Sequence, residues 1–197
     1  MLCATAAALV WAAASGAAYF WRTREAERLA AARFSFDLQP PTRGQSILIF
    51  SPHPDDETLA CGGLIEQARR NGARVRVVFL TSGDAFTHAA ERQFRTLRTT
   101  PADFLRLGEL RMREARNACG IFGVPSDDVR FLGFPDGGLS DLWRVNWSSG
   151  VPRKSRFTQV YSVPYRECDT YGAPYCGEEL LEAIKEEIGD FQPTDVF

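Results

Sequence analysis

The 197-residue sequence has little net charge, few histidines and no closely spaced cysteine pair, and each shortage argues against a class of function. A formal net charge of −2 lacks the basic excess of nucleic-acid-binding proteins, so we expect no nucleic-acid partner. None of the five cysteines forms a Cys-x-x-Cys motif, which argues against a cysteine-based zinc site. No Gly-x-Gly-x-x-Gly follows the first predicted strand, which argues against a dinucleotide-binding domain. Only His53 and His88 can supply an imidazole.

The sequence does not decide whether two of the cysteines form a disulfide. Cys168 and Cys176 lie in a loop-like segment and could pair in an oxidising compartment, or they could remain free thiols. Cys61 and Cys119 fall within helical patterns and are predicted to be core residues.

The segment from Leu2 to Trp21 contains no charged side chain. This length can cross a bilayer, and aromatic residues gather at its end, so residues 1–21 are predicted to form a transmembrane or signal-anchor helix. A cleaved signal peptide and a dispensable extension are the alternatives. Arg22 and Arg24 follow directly, and the positive-inside rule then predicts a membrane-anchored protein with its main domain in the cytoplasm, or export if the segment is cleaved.

The remaining chain divides into a spacer and one domain. Residues 22–45 combine a charged, helix-favouring stretch with Pro40 and Pro41, and are predicted to be a helical spacer and linker. Residues 46–197 alternate apolar strands with amphipathic helices and predict an α/β fold: a Rossmann-like three-layer sandwich with a mostly parallel sheet. The predicted strands are 47–50, 74–81, 129–132 and one beginning at 193, and the main helices follow residue 57 and cover 105–120 and 178–189.

The stretch Ser46–Gly72 organises this domain. Its apolar start predicts a buried strand, which leads into His53-Pro54-Asp55-Asp56-Glu57 and then a helix. Acids in a first helical turn commonly need no other explanation than the helix dipole. A histidine and an aspartate three residues apart, however, can ligate one divalent metal. Asp55 would then lie beside the metal and suit a general base acting on metal-activated water.

This motif, followed by Gly62-Gly63, resembles the signature of the PIG-L/LmbE-like de-N-acetylases, which are zinc-dependent enzymes acting on N-acetylglucosaminyl compounds. The resemblance implies that His53 and Asp56 are ligands of one Zn²⁺ and that Asp55 is the general base. It implies a partner of the N-acetylated amino-sugar class. A Thr-x-Gly-Asp-Ala stretch at Thr81–Ala85 is also similar to the family, although such residues make ordinary turns elsewhere.

Two further residues match the family pattern. Arg111 belongs to an Arg-x-x-Glu pair with Glu114, whose arginine reaches the substrate in the family; an i,i+3 surface ion pair is the alternative. Asp136, in Gly-Phe-Pro-Asp-Gly-Gly-Leu, corresponds to a substrate-contacting aspartate. His88 lies in a long connection over 86–103 that is typical of a mobile lid or a solvated face, and a ligand role for it is weighed but not preferred.

The expected metal site lacks one protein ligand. Catalytic zinc commonly has three protein ligands and a water, and the sequence offers two. In the family the third is a histidine after a strand whose beginning resembles 193–197, so we expect a third ligand and further strands beyond Phe197. With two ligands, we expect weak zinc binding and low activity.

These features predict a metal-dependent hydrolase that removes an acetyl group from an N-acetylglucosaminyl-type conjugate. The alternative is a catalytically inactive, membrane-tethered relative that binds a sugar or acts as a scaffold without a complete metal site. Zinc binding and acetate release distinguish the two.

Overall fold

The computed structural model describes residues 15–25, 28 and 39–197. Residues Pro40–Phe197 form one compact unit, distinct from residues 1–39. This unit contains four strands and five helices of the described chain, together with a 3₁₀ turn at Ser126–Asp128. The strands are β1 (Ser46–Ser51), β2 (Arg74–Thr81), β3 (Val129–Phe134) and β4 (Asp195–Val196); the helices are α1 (Asp56–Arg70), α2 (Thr87–Phe94), α3 (Pro101–Ile121), α4 (Leu139–Arg144) and α5 (Gly177–Phe191).

The four strands form an all-parallel sheet in the order β3-β2-β1-β4. The buried side chains of β1 and β2 explain their apolar runs, because a parallel sheet is covered on both faces. The chain moves outward from β1 through β2 to β3 and then returns to the other side of β1 as β4. Such a reversal opens a crevice at the carboxyl ends of the strands, where α/β proteins bind ligands.

Helices cover both faces of the sheet. Phe79 of β2 stacks on Phe131 of β3 with ring centroids 4.8 Å apart, and Arg116 of α3 lies over Phe131. Three residues earlier in β2, Arg76 instead forms ion pairs with Glu187 and with the nearby Asp190 of α5. Because side chains alternate faces along a strand, α3 and α5 lie on opposite faces. The three-layer α/β arrangement is therefore confirmed.

The structure contains a helix that was not predicted, a helix that is longer than predicted, and two cysteines that do not pair. The connection over 86–103 contains helix α2, which was not predicted. Helix α3 begins at Pro101, earlier than predicted, because Thr100 and Asp103 form a capping box before it. Cys168 and Cys176 are buried free thiols, so the possible disulfide is absent from the described structure.

The N-terminal prediction is not supported. Of the predicted membrane helix over 1–21, residues 1–14 lie outside the described residues; residues 15–25 are helical and expose Tyr19, Phe20 and Trp21. Within the part of the chain that the structure describes, no helix combines the length and apolar character needed to span a bilayer.

Candidate active site

The carboxyl ends of three adjacent strands carry the candidate site. β1 ends at Ser51, β2 at Thr81 and β3 at Phe134. The Thr81 hydroxyl donates to the Pro52 carbonyl at 2.8 Å, and the Ser51 hydroxyl donates to the His53 carbonyl at 2.8 Å. These bonds fix the backbone of the loop after β1 against the neighbouring strand, which positions the first residue of the sequence motif.

His53 lies between two carboxylates. Its Nδ1 is 3.0 Å from Asp56 Oδ2 and its Nε2 is 3.2 Å from Asp136 Oδ1. The His53 backbone amide also donates to Asp56 Oδ2 at 3.1 Å, so the aspartate is held by both the main chain and the ring. The hydrogen bond to Asp136 raises the pKa of His53 to about 9 against the effect of burial, and Asp56 adds to the increase.

Asp136 is joined to the loop after β2. The Ala85 amide donates to its Oδ2 at 3.0 Å, while Oδ1 faces His53. Burial alone would raise the pKa of Asp136, but the bonds from His53 and Ala85 outweigh it and hold this pKa below its usual value. The predicted substrate-contacting residue therefore has both carboxylate oxygens engaged within the protein.

Asp55 has a strained backbone and an accessible side chain. Its φ of 136° falls where non-glycine residues are rare, and its amide donates to Glu57 Oε2 at 2.9 Å. Arg111 Nη2 donates to Asp55 Oδ2 at 3.1 Å and to the Pro54 carbonyl, and Nη1 donates to the Gly83 carbonyl at 3.1 Å. The Asp55 side chain is still 58% exposed, so its free oxygen can face a substrate.

Arg111 points into the site rather than toward its helical neighbour. The alternative of a surface ion pair with Glu114 is wrong, because the ion pair of Arg111 is with Asp55. A Cβ added to Gly83 would lie 2.5 Å from Arg111 Nη1, and Gly83 has a φ of +65°. Both observations explain why glycine occupies this position of the loop after β2.

The buried pair of Asp84 and Tyr165 was not predicted. Tyr165 Oη donates to Asp84 Oδ2 at 2.5 Å, and Asp84 is only 1% exposed. Burial raises the pKa of Asp84 to about 7, although the bond from Tyr165 opposes the increase. Asp84 precedes Ala85, so the pair supports the loop that holds Asp136. The Thr-x-Gly-Asp-Ala pattern was the available signal, but it did not identify a partner 81 residues away.

His88 does not join these residues. It belongs to α2, its side chain is 85% exposed, and its Nδ1 is 3.2 Å from Glu91 Oε2 on the same helix. The described structure therefore gives no geometric support for a ligand role of His88.

A cavity of about 350 Å³ opens beside Asp55, between the start of α1 and the middle of α3. This volume is within the range typical of small-molecule pockets. Its lining combines apolar residues, carboxylates and one guanidinium, among them Pro54, Leu59, Ala118, Asp55, Glu114 and Arg111.

The donor geometry fits part of a zinc site. Two ligands bound at about 2.0–2.1 Å to one tetrahedral ion lie about 3.3 Å apart, and His53 Nδ1 is 3.0 Å from Asp56 Oδ2. Among the residues that the structure describes, no three His, Cys, Asp or Glu side chains form a group able to hold a metal. His53 Nδ1 and Asp56 Oδ2 are thus spaced as two ligands of one such ion would be.

A family model described as "PIG-L: GlcNAc-PI de-N-acetylase" matches residues 48–197. The chain belongs to the PIG-L family. The match includes the whole His53–Glu57 motif, Arg111 and Asp136, so every predicted site residue lies within the family domain.

Individual relatives carry deacetylase names. A 1D-myo-inositol 2-acetamido-2-deoxy-alpha-D-glucopyranoside deacetylase of Mycobacterium sp. (strain KMS) is 40% identical over 99 residues, which are 48% of this chain and 30% of the relative. A probable N-acetyl-alpha-D-glucosaminyl L-malate deacetylase 2 of Bacillus cereus is 32% identical over 90 residues, 46% of this chain and 37% of the relative. The matches thus span about a third of these relatives' lengths.

Among solved structures, N,N'-diacetylchitobiose deacetylase from Pyrococcus horikoshii has a TM-score of 0.43 to this chain at 21% identity. The similarity covers 86% of this chain and 61% of the other.

Proposed function

We propose that this chain is a hydrolase that removes the acetyl group from an N-acetylglucosaminyl-type conjugate. The observation that carries the proposal is the exposed Asp55 carboxylate, held by Arg111 next to the His53–Asp56 pair and at the edge of a cavity of about 350 Å³. Membership of the PIG-L family and the deacetylase names of its relatives support the same reaction class. They also disfavour the alternative of an inactive sugar-binding scaffold.

Asp55 is assigned the proton transfers. Arg111 occupies its Oδ2, and within the described chain no hydrogen bond is made to Oδ1. Oδ1 can therefore take a proton from the attacking water as that oxygen bonds to the acetyl carbonyl carbon. The same oxygen can return the proton to the amide nitrogen as the C–N bond breaks, which releases acetate and a free amine.

His53 Nδ1 and Asp56 Oδ2 are assigned to a divalent metal, with zinc as the expected ion. When bound, zinc lowers the pKa of a ligated water and polarises a carbonyl oxygen. Asp136 is then assigned to orient His53, because its carboxylate accepts from Nε2 while Nδ1 faces Asp56. This role comes in addition to the substrate contact that the family pattern predicts for Asp136.

The two histidines provide a matched test. Purified wild-type chain, His53→Ala and His88→Ala are dialysed against zinc, and bound metal and acetate release from an N-acetylglucosaminyl-inositol conjugate are measured. Because the chain offers two ligands, we expect weak zinc binding and low acetate release in the wild type and in His88→Ala, and loss of both in His53→Ala. Retention of zinc by His53→Ala together with its loss from His88→Ala would overturn the assignment.

A further inference from the structure

Residues 86–98, which contain helix α2, are basic in a chain that is slightly acidic overall. The segment has three arginines: Arg92, Arg95 and Arg98. With one glutamate beside them and His88 neutral, its net charge is +2, whereas the whole chain has −2. The glutamate, Glu91, faces His88 at 3.2 Å, and the three arginines are exposed and form no ion pair within the residues that the structure describes. Their charges are therefore open to an anionic partner.

Leu97 lies in the turn that follows α2 and is 100% exposed. The Thr96 hydroxyl donates to the Arg98 carbonyl at 3.0 Å and accepts from the Arg98 amide at 3.2 Å, which closes the turn around Leu97. A single exposed leucine is common on protein surfaces, but this one has an exposed arginine on each side within two residues, Arg95 and Arg98. Apolar side chains bordered by cations are typical of segments that lie in a membrane interface.

A small hydrophobic cluster holds α2 against α3. Its buried residues come from both helices: Ala90, Phe104 and Leu107. Phe94 and Phe157 pack against this cluster, and each carries an arginine over its ring: Arg106 lies 4.4 Å from the Phe94 centroid and Arg156 lies 5.9 Å from the Phe157 centroid. Asp103 lies 3.8 Å from Arg106 and offsets part of its charge. Residues 92–98, Arg106 and Arg156 are together referred to as the α2 surface.

We propose that the α2 surface docks on a lipid bilayer that contains anionic phospholipid, with its arginines at the headgroups and Leu97 inserted among them. Each arginine near an anionic membrane favours the bound state by about fivefold, so three together favour it by about a hundredfold. A nucleic acid or another soluble polyanion would also attract the arginines, but it would give Leu97 no apolar environment. The proposal concerns the compact unit alone and is independent of the deacetylase reaction.

The test is hydrogen–deuterium exchange of the full 197-residue chain, with vesicles of phosphatidylcholine alone or of an equimolar mixture of phosphatidylcholine and phosphatidylserine. We expect the backbone amides of residues 92–100 to exchange about tenfold more slowly with the anionic vesicles than with the neutral ones at low salt. The difference should disappear at about 1 M salt, where the screening length is about 3 Å. Replacing Arg92, Arg95 and Arg98 together by glutamine should abolish the difference, and Leu97→Ser should reduce it to about threefold.

The matched control replaces Arg43, Arg70 and Arg74 by glutamine, which removes three charges from exposed positions at the opposite, amino-terminal edge of the sheet. This variant should keep the difference between the two vesicles, and peptides from β1 and β2 should exchange equally in all variants if each remains folded. No slowing with anionic vesicles in the wild type, or equal loss in the two triple variants, would overturn the proposal. Equal protection by heparin that Leu97→Ser does not change would assign the surface to a soluble polyanion instead and would also overturn it.

Discussion

At the scale of single residues, two neighbouring acids of the site have different hydrogen-bond partners. Asp56 is held by the ring and the amide of His53, whereas Asp55 is held only through one oxygen by Arg111. This difference agrees with the proposed roles of Asp56 in metal binding and of Asp55 in proton transfer. Asp55 also has a strained backbone, with a φ of 136°, whereas Asp56 begins helix α1.

Asp55→Asn tests this division. Asparagine cannot accept the proton from water, so acetate release should fall about 10²- to 10⁴-fold, while zinc binding should remain close to that of the wild type. Metal content after dialysis and acetate release are the two measurements. Loss of zinc with unchanged turnover per bound metal would instead place Asp55 among the ligands.

Asp84 predicts a specific dependence of stability on pH. Its pKa is about 7 in the folded chain and about 3.8 when unfolded, so the folded state binds more protons between these values. This contribution to stability is fully present below about pH 4 and is lost as pH rises through 7. Asp84→Asn removes the titration and can still accept from Tyr165.

Urea unfolding at pH 5 and pH 8 measures the effect. The free energy of unfolding of the wild type, relative to Asp84→Asn, should fall by about 2 to 3 kcal/mol between the two pH values. A difference that is independent of pH would show that Asp84 has an ordinary pKa in the folded protein.

At the scale of elements, helix α3 supports the site through a close approach to the segment 145–176. Gly108 of α3 allows Tyr165 to reach Asp84, because a Cβ at this position would lie 2.8 Å from Tyr165 Cζ and 3.2 Å from Asp84 Cβ. The same helix carries Arg111 one turn later. One helix therefore fixes both the Asp84–Tyr165 pair and the Asp55 loop.

Gly108→Ala and Gly120→Ala form a matched pair within α3. Alanine favours a helix over glycine by about 1 kcal/mol, but at Gly108 the clash should outweigh this and destabilise the protein by about 1 to 3 kcal/mol. No atom lies within 4 Å of a Cβ at Gly120, so that variant should be neutral or up to about 1 kcal/mol more stable. The free energy of unfolding of both variants is measured in urea. Equal changes at the two positions would show that Gly108 is not closely packed against Tyr165 and Asp84.

At the scale of the whole molecule, the cellular location stays a prediction, because residues 1–14 of the proposed anchor lie outside the described residues. The uncharged run from Leu2 to Trp21 followed by Arg22 and Arg24 predicts membrane attachment with the domain in the cytoplasm. Protease added to sealed, right-side-out vesicles should then spare the domain, and detergent should make it accessible. Digestion without detergent, or a mature N-terminus near Ala18, would indicate export.

Local patterns in the sequence were sufficient for much of the fold and for the core of the site. These features are local, because each depends on residues a few positions apart. They are the apolar runs of β1 and β2, the amphipathic patterns of α3 and α5, and the short spacing of His53, Asp55 and Asp56. The family motif added Arg111 and Asp136, which the structure brings to Asp55 and His53 respectively.

Only the tertiary structure decided which distant residues meet. Asp136 contacts His53 because parallel pairing places the ends of β1, β2 and β3 at one edge, and Tyr165 reaches Asp84 because Gly108 leaves space for it. The same packing turned Arg111 toward Asp55 and left Glu114 on the cavity wall. Spacing along the chain carries no information on such contacts, since burial, pKa and hydrogen-bond partners depend on elements that meet only after folding.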